Sequence, residues 1–78
     1  MWRHLSTVAY KGFRISVGWD AATRLARFCV ERAEGIGHVV IREAVIAGTF
    51  RTERSARTAA KRAAREYVEG LALRATQS

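Results

Sequence analysis

The hydrophobic period of the chain changes once, at Thr52, and this change limits the fold more than any other feature. Before Thr52 the patterns are those of strands: apolar residues recur at every second position in 13–19 and 26–30, and 38–50 is a β-rich run that is apolar on both faces. After Thr52 apolar residues recur at every third or fourth position, as in a helix packed on one side. Thr52 is a favourable N-cap, and no Gly or Pro interrupts the chain until Gly70. The sequence predicts a long C-terminal helix with a buried stripe of Ala56, Ala59, Ala60, Ala63, Tyr67, Val68 and Leu71.

Three segments before the helix have strand patterns. Residues 13–19 alternate between apolar and polar or small side chains, and this strand is predicted to begin near Val8 with a bulge at Lys11–Gly12. A second alternation runs through residues 26–30, and two glycines close it with a loop. The third run, residues 38–50, is rich in β-branched residues. We therefore expect an α+β fold in which a three-stranded antiparallel β-meander is followed by one long helix on one sheet face.

The third run is too long for a single straight strand inside a domain of this size. Thirteen residues at about 3.3 Å each extend roughly 43 Å, whereas a compact chain of this length has a radius of gyration of about 11–12 Å. Either the strand bends, at Gly48 or at Arg42–Glu43, or part of it reaches beyond the domain. The second alternative implies a partner.

The length of 78 residues predicts one domain, residues 8–72, between a flexible N-terminus (1–7) and a frayed C-terminal tail (73–78). A core this small is marginal, and oligomerisation would add to it. The single cysteine, Cys29, cannot form an internal disulfide, and the first residues do not resemble a secretory signal, so we expect a cytoplasmic protein. The longest uncharged apolar stretch, 44–50, is too short to cross a membrane.

Charge makes nucleic acid the first partner to consider. The chain has 14 Lys and Arg against 7 Asp and Glu, a net charge of +7. An excess of this size on a small chain attracts polyanions through its long-range field. The alternative is that an Arg-rich and Ala-rich composition reflects a GC-rich coding genome, with the charge serving only solubility.

Catalytic chemistry finds little support in the sequence. Asp20, His4, His38 and Cys29 do not form a set of nucleophile, base and orienting group, and they lack the clustered spacing of a zinc site. We therefore predict no enzyme activity, no catalytic or metal-binding residue, no cofactor and no small-molecule substrate.

The helix carries the one candidate site, a row of cations. Arg54, Arg57, Lys61 and Arg65 are spaced by 3, 4 and 4 residues, with Arg51 just before the helix. Arg forms bidentate contacts with phosphate, and contacts with the backbone dominate nucleic-acid affinity. The alternative is an ordinary solvated helix face. Four aromatic residues could in addition stack on bases, although two of them share the apolar phase of the first strand and fit the core better: Trp2, Tyr10, Phe13 and Trp19.

The stretch Thr52–Ala64, with its Thr cap, basic residues and Ala-rich helix, resembles the end of a double-stranded-RNA-binding domain. The resemblance implies that Arg54, Arg57 and Lys61 contact phosphates, but Glu53 stands where that family has a cation, and the family's first helix has no counterpart here.

Two further resemblances concern layout. The order of a three-stranded sheet and a Thr-capped helix is similar to antitoxins of the HicB type, in which a Gly-Cys pair stands where this chain has Gly48–Arg51. The Tyr10–Phe13 strand opening and the Thr-capped helix together look like short uncharacterised bacterial β-β-β-α proteins, and this resemblance implies no function.

A two-layer unit of this kind leaves one sheet face open. We expect that face to be apolar and to form a homodimer, either across the face or through the edge of the third predicted strand. The sequence thus supports two hypotheses: a nucleic-acid-binding accessory protein that uses the cationic row, and a homodimeric interaction module whose charge is merely solubilising. The residues predicted for the interaction surface are Leu25, Val39, Ile41 and Val45, together with Cys29 on the same face.

Overall fold

The computed structural model describes residues 1–77 and has an α+β fold of four antiparallel strands followed by one helix. The α+β class and the C-terminal helix are confirmed, but the sheet has four strands where the sequence predicted three. The strands form one meander in the order β1-β2-β3-β4. The elements are β1 Arg3–Tyr10, β2 Phe13–Asp20, β3 Leu25–Glu34, β4 Gly37–Val45 and α1 Glu53–Gln77.

The additional strand arises because Lys11 and Gly12 form a hairpin turn where a bulge was predicted. Both residues have positive φ, 49° and 85°, the combination that a two-residue type I′ turn requires. Tyr10 therefore pairs with Phe13, and β1 runs back along β2. Residues 3–7, expected to be flexible, form the first part of β1.

The third run, residues 38–50, does not form one straight strand, as its length led us to expect. Its strand, β4, ends at Val45, and Gly48 has a φ of +95° in the connection to the helix. The amide of Phe50 then donates to the carbonyl of Arg24, 2.8 Å away, which holds this connection against the β2–β3 turn. The bend thus lies at Gly48, one of the two positions that the sequence indicated.

The core lies between one sheet face and the helix. Every second residue is buried in the middle of β2, at Ile15 and Val17, and in the first part of β3, from Ala26 to Val30. The buried helix positions are spaced by four residues, and alanine at three of them lets the helix approach the sheet closely. Ala59 and Ala63, which were predicted in this stripe, are only half-buried at its border. The buried helix positions are Ala56, Ala60, Ala64 and Val68.

The helix covers the sheet unevenly. It packs on β2 and β3 and reaches β1. Its backbone does not approach β4, whose contact with the helix includes the Arg42 guanidinium 5.9 Å from the centre of the Tyr67 ring. The resulting molecule is thin, with extents of 41 × 29 × 15 Å and a radius of gyration of 13.0 Å. The helix continues through residues 73–77, the segment that was expected to fray, and Ser78 lies outside the described residues. Within the described part of the chain, no helix is long and apolar enough to span a membrane.

Candidate nucleic-acid interface

The structure places the predicted cationic row on the side of α1 that faces β1. Residues four apart on a helix share a side, and this side begins with Glu53, which forms an ion pair with Arg3 of β1. It ends with Glu69, whose carboxylate accepts a 2.5 Å hydrogen bond from the Tyr10 hydroxyl and lies 3.8 Å from Lys11. We call four cations of this part of the helix the basic flank. Arg57, Lys61 and Arg65 lie in the same row as Glu53 and Glu69, and Arg54 adjoins them because it precedes Arg57 by three residues, at the border with the row of Thr58 and Arg62.

The basic flank is where much of the excess charge of the molecule is found. Each of the six glutamates lies within 4.0 Å of an Arg or Lys side chain. Exposed pairs of this kind add little stability, but they neutralise charge locally. In residues 1–77, no carboxylate lies within that distance of the four cations of the basic flank. Arg24, Arg42, Arg51 and Arg74 likewise have no such partner among the described residues, but they are scattered over other parts of the chain. The basic flank is distinguished because its four unpaired cations lie together on one helix.

Two members of the basic flank are partly held by the protein. Arg65 places its guanidinium 5.5 Å from the centre of the Tyr10 ring, a cation–π contact that fixes its stem against β1. Arg57 is half-buried, and its Nε atom is buried with no hydrogen-bond partner.

Arg51, the fifth predicted cation, lies apart from this flank. It is exposed in the connection between β4 and α1, one residue before the helix cap. Thr52 is that cap: its Oγ1 atom accepts a hydrogen bond from the Ser55 amide at 3.1 Å. The structure therefore brings together four of the five predicted cations.

Sequence reasoning missed the contribution of β1 to this surface. Arg3, Tyr10 and Lys11 position the two ends of the basic flank through Glu53 and Glu69. The hydrogen bond to Glu69 also raises the pKa of Tyr10, because ionising the phenol would remove its donor and place two negative charges side by side. The missed signal was Lys11–Gly12, a dipeptide that suits a reversal as well as a bulge.

The four residues of the predicted interaction surface do not share one face. Residues that pair directly across antiparallel strands point to the same side. Leu25 pairs with Asp20 and Val45 with Arg27, on the open face opposite α1. Val39 pairs with Arg32 on the helix side, and Ile41 packs at the border of the core. A bulge in β4 explains the difference, because Val30 pairs with residue 42 and the next residue of β3 with residue 40, which reverses the alternation.

The open face is polar where the sequence predicted an apolar patch. Arg14 forms an ion pair with Glu31, and Arg27 lies 3.1 Å from Glu43. Cys29 is half-buried between these pairs, and burial followed by the nearby carboxylates raises the pKa of its thiol. Charged pairs therefore occupy the centre of the face that was expected to associate.

The four aromatic residues considered for stacking fall into different places. Trp19 is half-buried and donates its indole N–H to the carbonyl of Phe50 at 3.0 Å, and Phe13 packs against the core. Tyr10 lies beside the basic flank, where its ring faces Arg65 and its hydroxyl donates to Glu69. Trp2 lies on the open face, with its ring 5.0 Å from the guanidinium of Arg27.

No family model, curated protein or solved structure matches the chain in the comparisons with known proteins. The resemblances to the double-stranded-RNA-binding domain, to HicB-type antitoxins and to short bacterial β-β-β-α proteins stay predictions.

Proposed function

We propose that this protein binds the phosphate backbone of nucleic acid through the basic flank. The observation that carries the proposal is the distribution of charge: every glutamate is paired, while four cations on one side of one helix have no carboxylate within 4.0 Å in the described residues. Polyanions are the ligands that such a surface attracts most strongly.

The dimensions of the basic flank suit a chain of phosphates. Arg57, Lys61 and Arg65 succeed one another at about 6 Å along the helix axis, and Arg54 extends the row to about 16 Å. Arg supplies a planar fork of donors that matches phosphate oxygens, while Lys supplies a point charge. A row of this length can hold several phosphates of one strand.

The expected binding has little dependence on base sequence. Bidentate recognition of adenine uses the amides of Asn and Gln, and the chain contains no Asn and a single Gln. The Arg side chains of the basic flank could read guanine, but we assign them to phosphates. Contacts with phosphate fix position on the strand and carry no sequence information directly. We infer an accessory role in which the protein coats or tethers nucleic acid without selecting a site.

Fluorescence anisotropy with labelled duplex RNA, duplex DNA and single strands at several salt concentrations tests the proposal. The R57Q/K61Q variant should bind more weakly to each strand that the wild type binds, because two phosphate contacts are lost. For duplex DNA the slope of log K against log salt should become shallower by about 1.8, at roughly 0.9 per contact.

A control variant separates this site from net charge. R24Q/R74Q removes the same two charges from exposed positions outside the basic flank that, like Arg57 and Lys61, have no carboxylate within 4.0 Å among the described residues, and its salt slope should remain near that of the wild type. Equal losses in the two double variants would mean that charge alone drives binding. That result would contradict the proposal, as would absence of binding to any strand at low salt.

A second candidate function is homodimeric association through β4, and one observation favours it. β4 is an edge strand outside the cover of the helix, and it exposes Val39, Val40 and Val45 by 42%, 52% and 54%. An edge strand with exposed apolar side chains is a template for pairing with another chain.

A further inference from the structure

A hollow on the open face of the sheet lies outside the surface described so far. Its volume is about 210 Å³, and it sits at the start of β1 and the end of β2. Its wall contains an indole, an imidazole, a hydroxyl, a thiol and a guanidinium. The residues that matter here are Trp2, His4, Ser16, Gly18, Arg27 and Cys29.

Gly18 forms the floor of this hollow, although its backbone does not require glycine. Gly18 is not among the glycines with a positive φ, so any residue could adopt the extended conformation of β2 at this position. A Cβ atom added to Gly18 would lie 3.3 Å from the carbonyl oxygen of Arg3 and 3.5 Å from Nε of Arg27. Glycine in the middle of a strand is often found where another group approaches the backbone closely. At Gly18 that group is the chain itself, because the Arg3 carbonyl and the Arg27 side chain take the space that a Cβ atom would need and form the wall of the hollow.

The side of the hollow is built from stacked planar groups. The Trp2 ring lies 5.0 Å from the guanidinium of Arg27, and Arg27 is oriented by its 3.1 Å contact with Glu43. The indole is half-buried, so part of its surface remains accessible. A planar ring can stack on an indole whatever its exact ring structure.

The polar rim offers donors and acceptors side by side. Arg27 donates, the carboxylate of Glu43 accepts, and the Ser16 hydroxyl can do either. Ser16 is 3.2 Å from the Thr7 hydroxyl, which in turn lies 3.1 Å from Nε2 of His4. A ligand that stacks and also presents mixed donors and acceptors at its edge fits these groups, and a nucleobase has both properties.

We propose that the hollow at Gly18 binds a nucleobase stacked on Trp2. The inference deepens the proposed function, since it makes an unpaired base of a single strand the group that is recognised. Trp2 adjoins Arg3, and Arg3 is paired with Glu53 at the start of the basic flank. A single strand can therefore pass around the β1 edge, with phosphates on the basic flank and a base in the hollow.

Trp2 fluorescence provides a direct reading of this site. The chain has two tryptophans, so the W19F variant reports Trp2 alone and the W2F variant reports Trp19 as a control. The probes are a short single-stranded oligonucleotide, an abasic strand with the same number of phosphates, and the four nucleoside monophosphates with ribose 5-phosphate as their control.

The oligonucleotide with bases should quench Trp2 and leave Trp19 unchanged, whereas the abasic strand should bind without quenching. W2A should weaken binding of the base-containing strand roughly tenfold, the scale of one base–aromatic stack. Its affinity for the abasic strand should not change. The nucleoside monophosphates show whether the site binds free nucleotides. If it does, they quench Trp2 to saturation; if the site requires an oligonucleotide, they do not.

G18V tests the hollow itself by filling its floor. The variant should lose quenching by the base-containing strand, while A9V, which places the same valine side chain at an exposed position on the same face, should retain it. If G18V does not fold, W2A gives the same comparison without altering the floor. Equal quenching of Trp2 by both strands, or none at saturation, would overturn the inference.

These readouts separate the two proposals. If both strands bind, R57Q/K61Q weakens that binding and Trp2 emission does not change, the proposal for the basic flank is supported and the proposal for the hollow is contradicted. If nucleotides quench Trp2 and R57Q/K61Q does not change the affinity for any strand, the proposal for the hollow is supported and the proposal for the basic flank is contradicted.

Discussion

Thr52 fixes where the helix begins. Its Oγ1 atom accepts the amide hydrogen of Ser55 at 3.1 Å, which satisfies one of the helix donors that lack an intrahelical partner. The hydroxyl of Ser55 also donates to the Thr52 carbonyl at 3.0 Å. The cap thus directs the chain from the bend near Gly48 into the axis along which the basic flank is arranged.

Removing the cap should lower stability without altering the fold. We expect T52A to reduce the free energy of unfolding by about 1 kcal/mol, because the Ser55 amide loses its partner. The matched control is T58A, at an exposed position inside the helix, which should raise stability by a few tenths of a kcal/mol through helix propensity. Urea unfolding measures both, and equal effects of the two variants would refute the capping role.

At the scale of elements, the position of α1 depends on small side chains that let it approach the sheet. Ala56, Ala60 and Ala64 have no exposed surface, so the helix backbone lies near Ile15, Val17 and Val30. A larger residue in this stripe would push the helix outward. The basic flank would then move relative to β1, whose Arg3 and Tyr10 hold its two ends.

Enlarging the middle of the stripe should therefore destabilise the protein. We expect A60L to lower the free energy of unfolding by about 1–3 kcal/mol, the usual cost of overpacking. A72L makes the same substitution at an exposed position of the same helix and should have little effect. Thermal unfolding compares the two, and an unchanged A60L would show that the helix is not seated closely on the sheet.

The whole molecule is asymmetric both in its charge and in how much of the sheet the helix covers. Its paired carboxylates leave the basic flank unneutralised on the β1 side, whereas the β4 side exposes valines beyond the edge of the helix. These two sides correspond to the two proposed functions. Because they lie at opposite edges of the sheet, a dimer through β4 would leave both basic flanks free.

Sedimentation tests association through β4. The second candidate function predicts a species of twice the 8.7 kDa chain mass at hundreds of micromolar, and V40K should reduce it to one chain mass. Val40 is 52% exposed, so this change should affect association more than folding. T49K, at an exposed position outside the strand, controls for the added charge. A wild-type mass near 8.7 kDa would rule this function out.

Local sequence determined the parts of the fold that depend on a few neighbouring residues. The change of period at Thr52 gave the helix and its cap, and the alternation in 13–19 and 26–30 gave β2 and β3 with their buried faces. The spacing of Arg54, Arg57, Lys61 and Arg65 placed them on one side of the helix, because helical geometry alone sets that relation. The length of the third run indicated that it must bend or leave the domain, and Gly48 was one of the two positions indicated for the bend.

Tertiary structure decided what depends on pairing between distant segments. Lys11–Gly12 suits a bulge or a hairpin, and only packing of β1 against β2 and the helix favours the hairpin. The bulge in β4 moved Val39 and Ile41 off the open face, since one extra residue reverses every later side chain. Likewise, the sequence gives each charge but no partner, so which cations remain unneutralised was settled only when the strands and the helix came together.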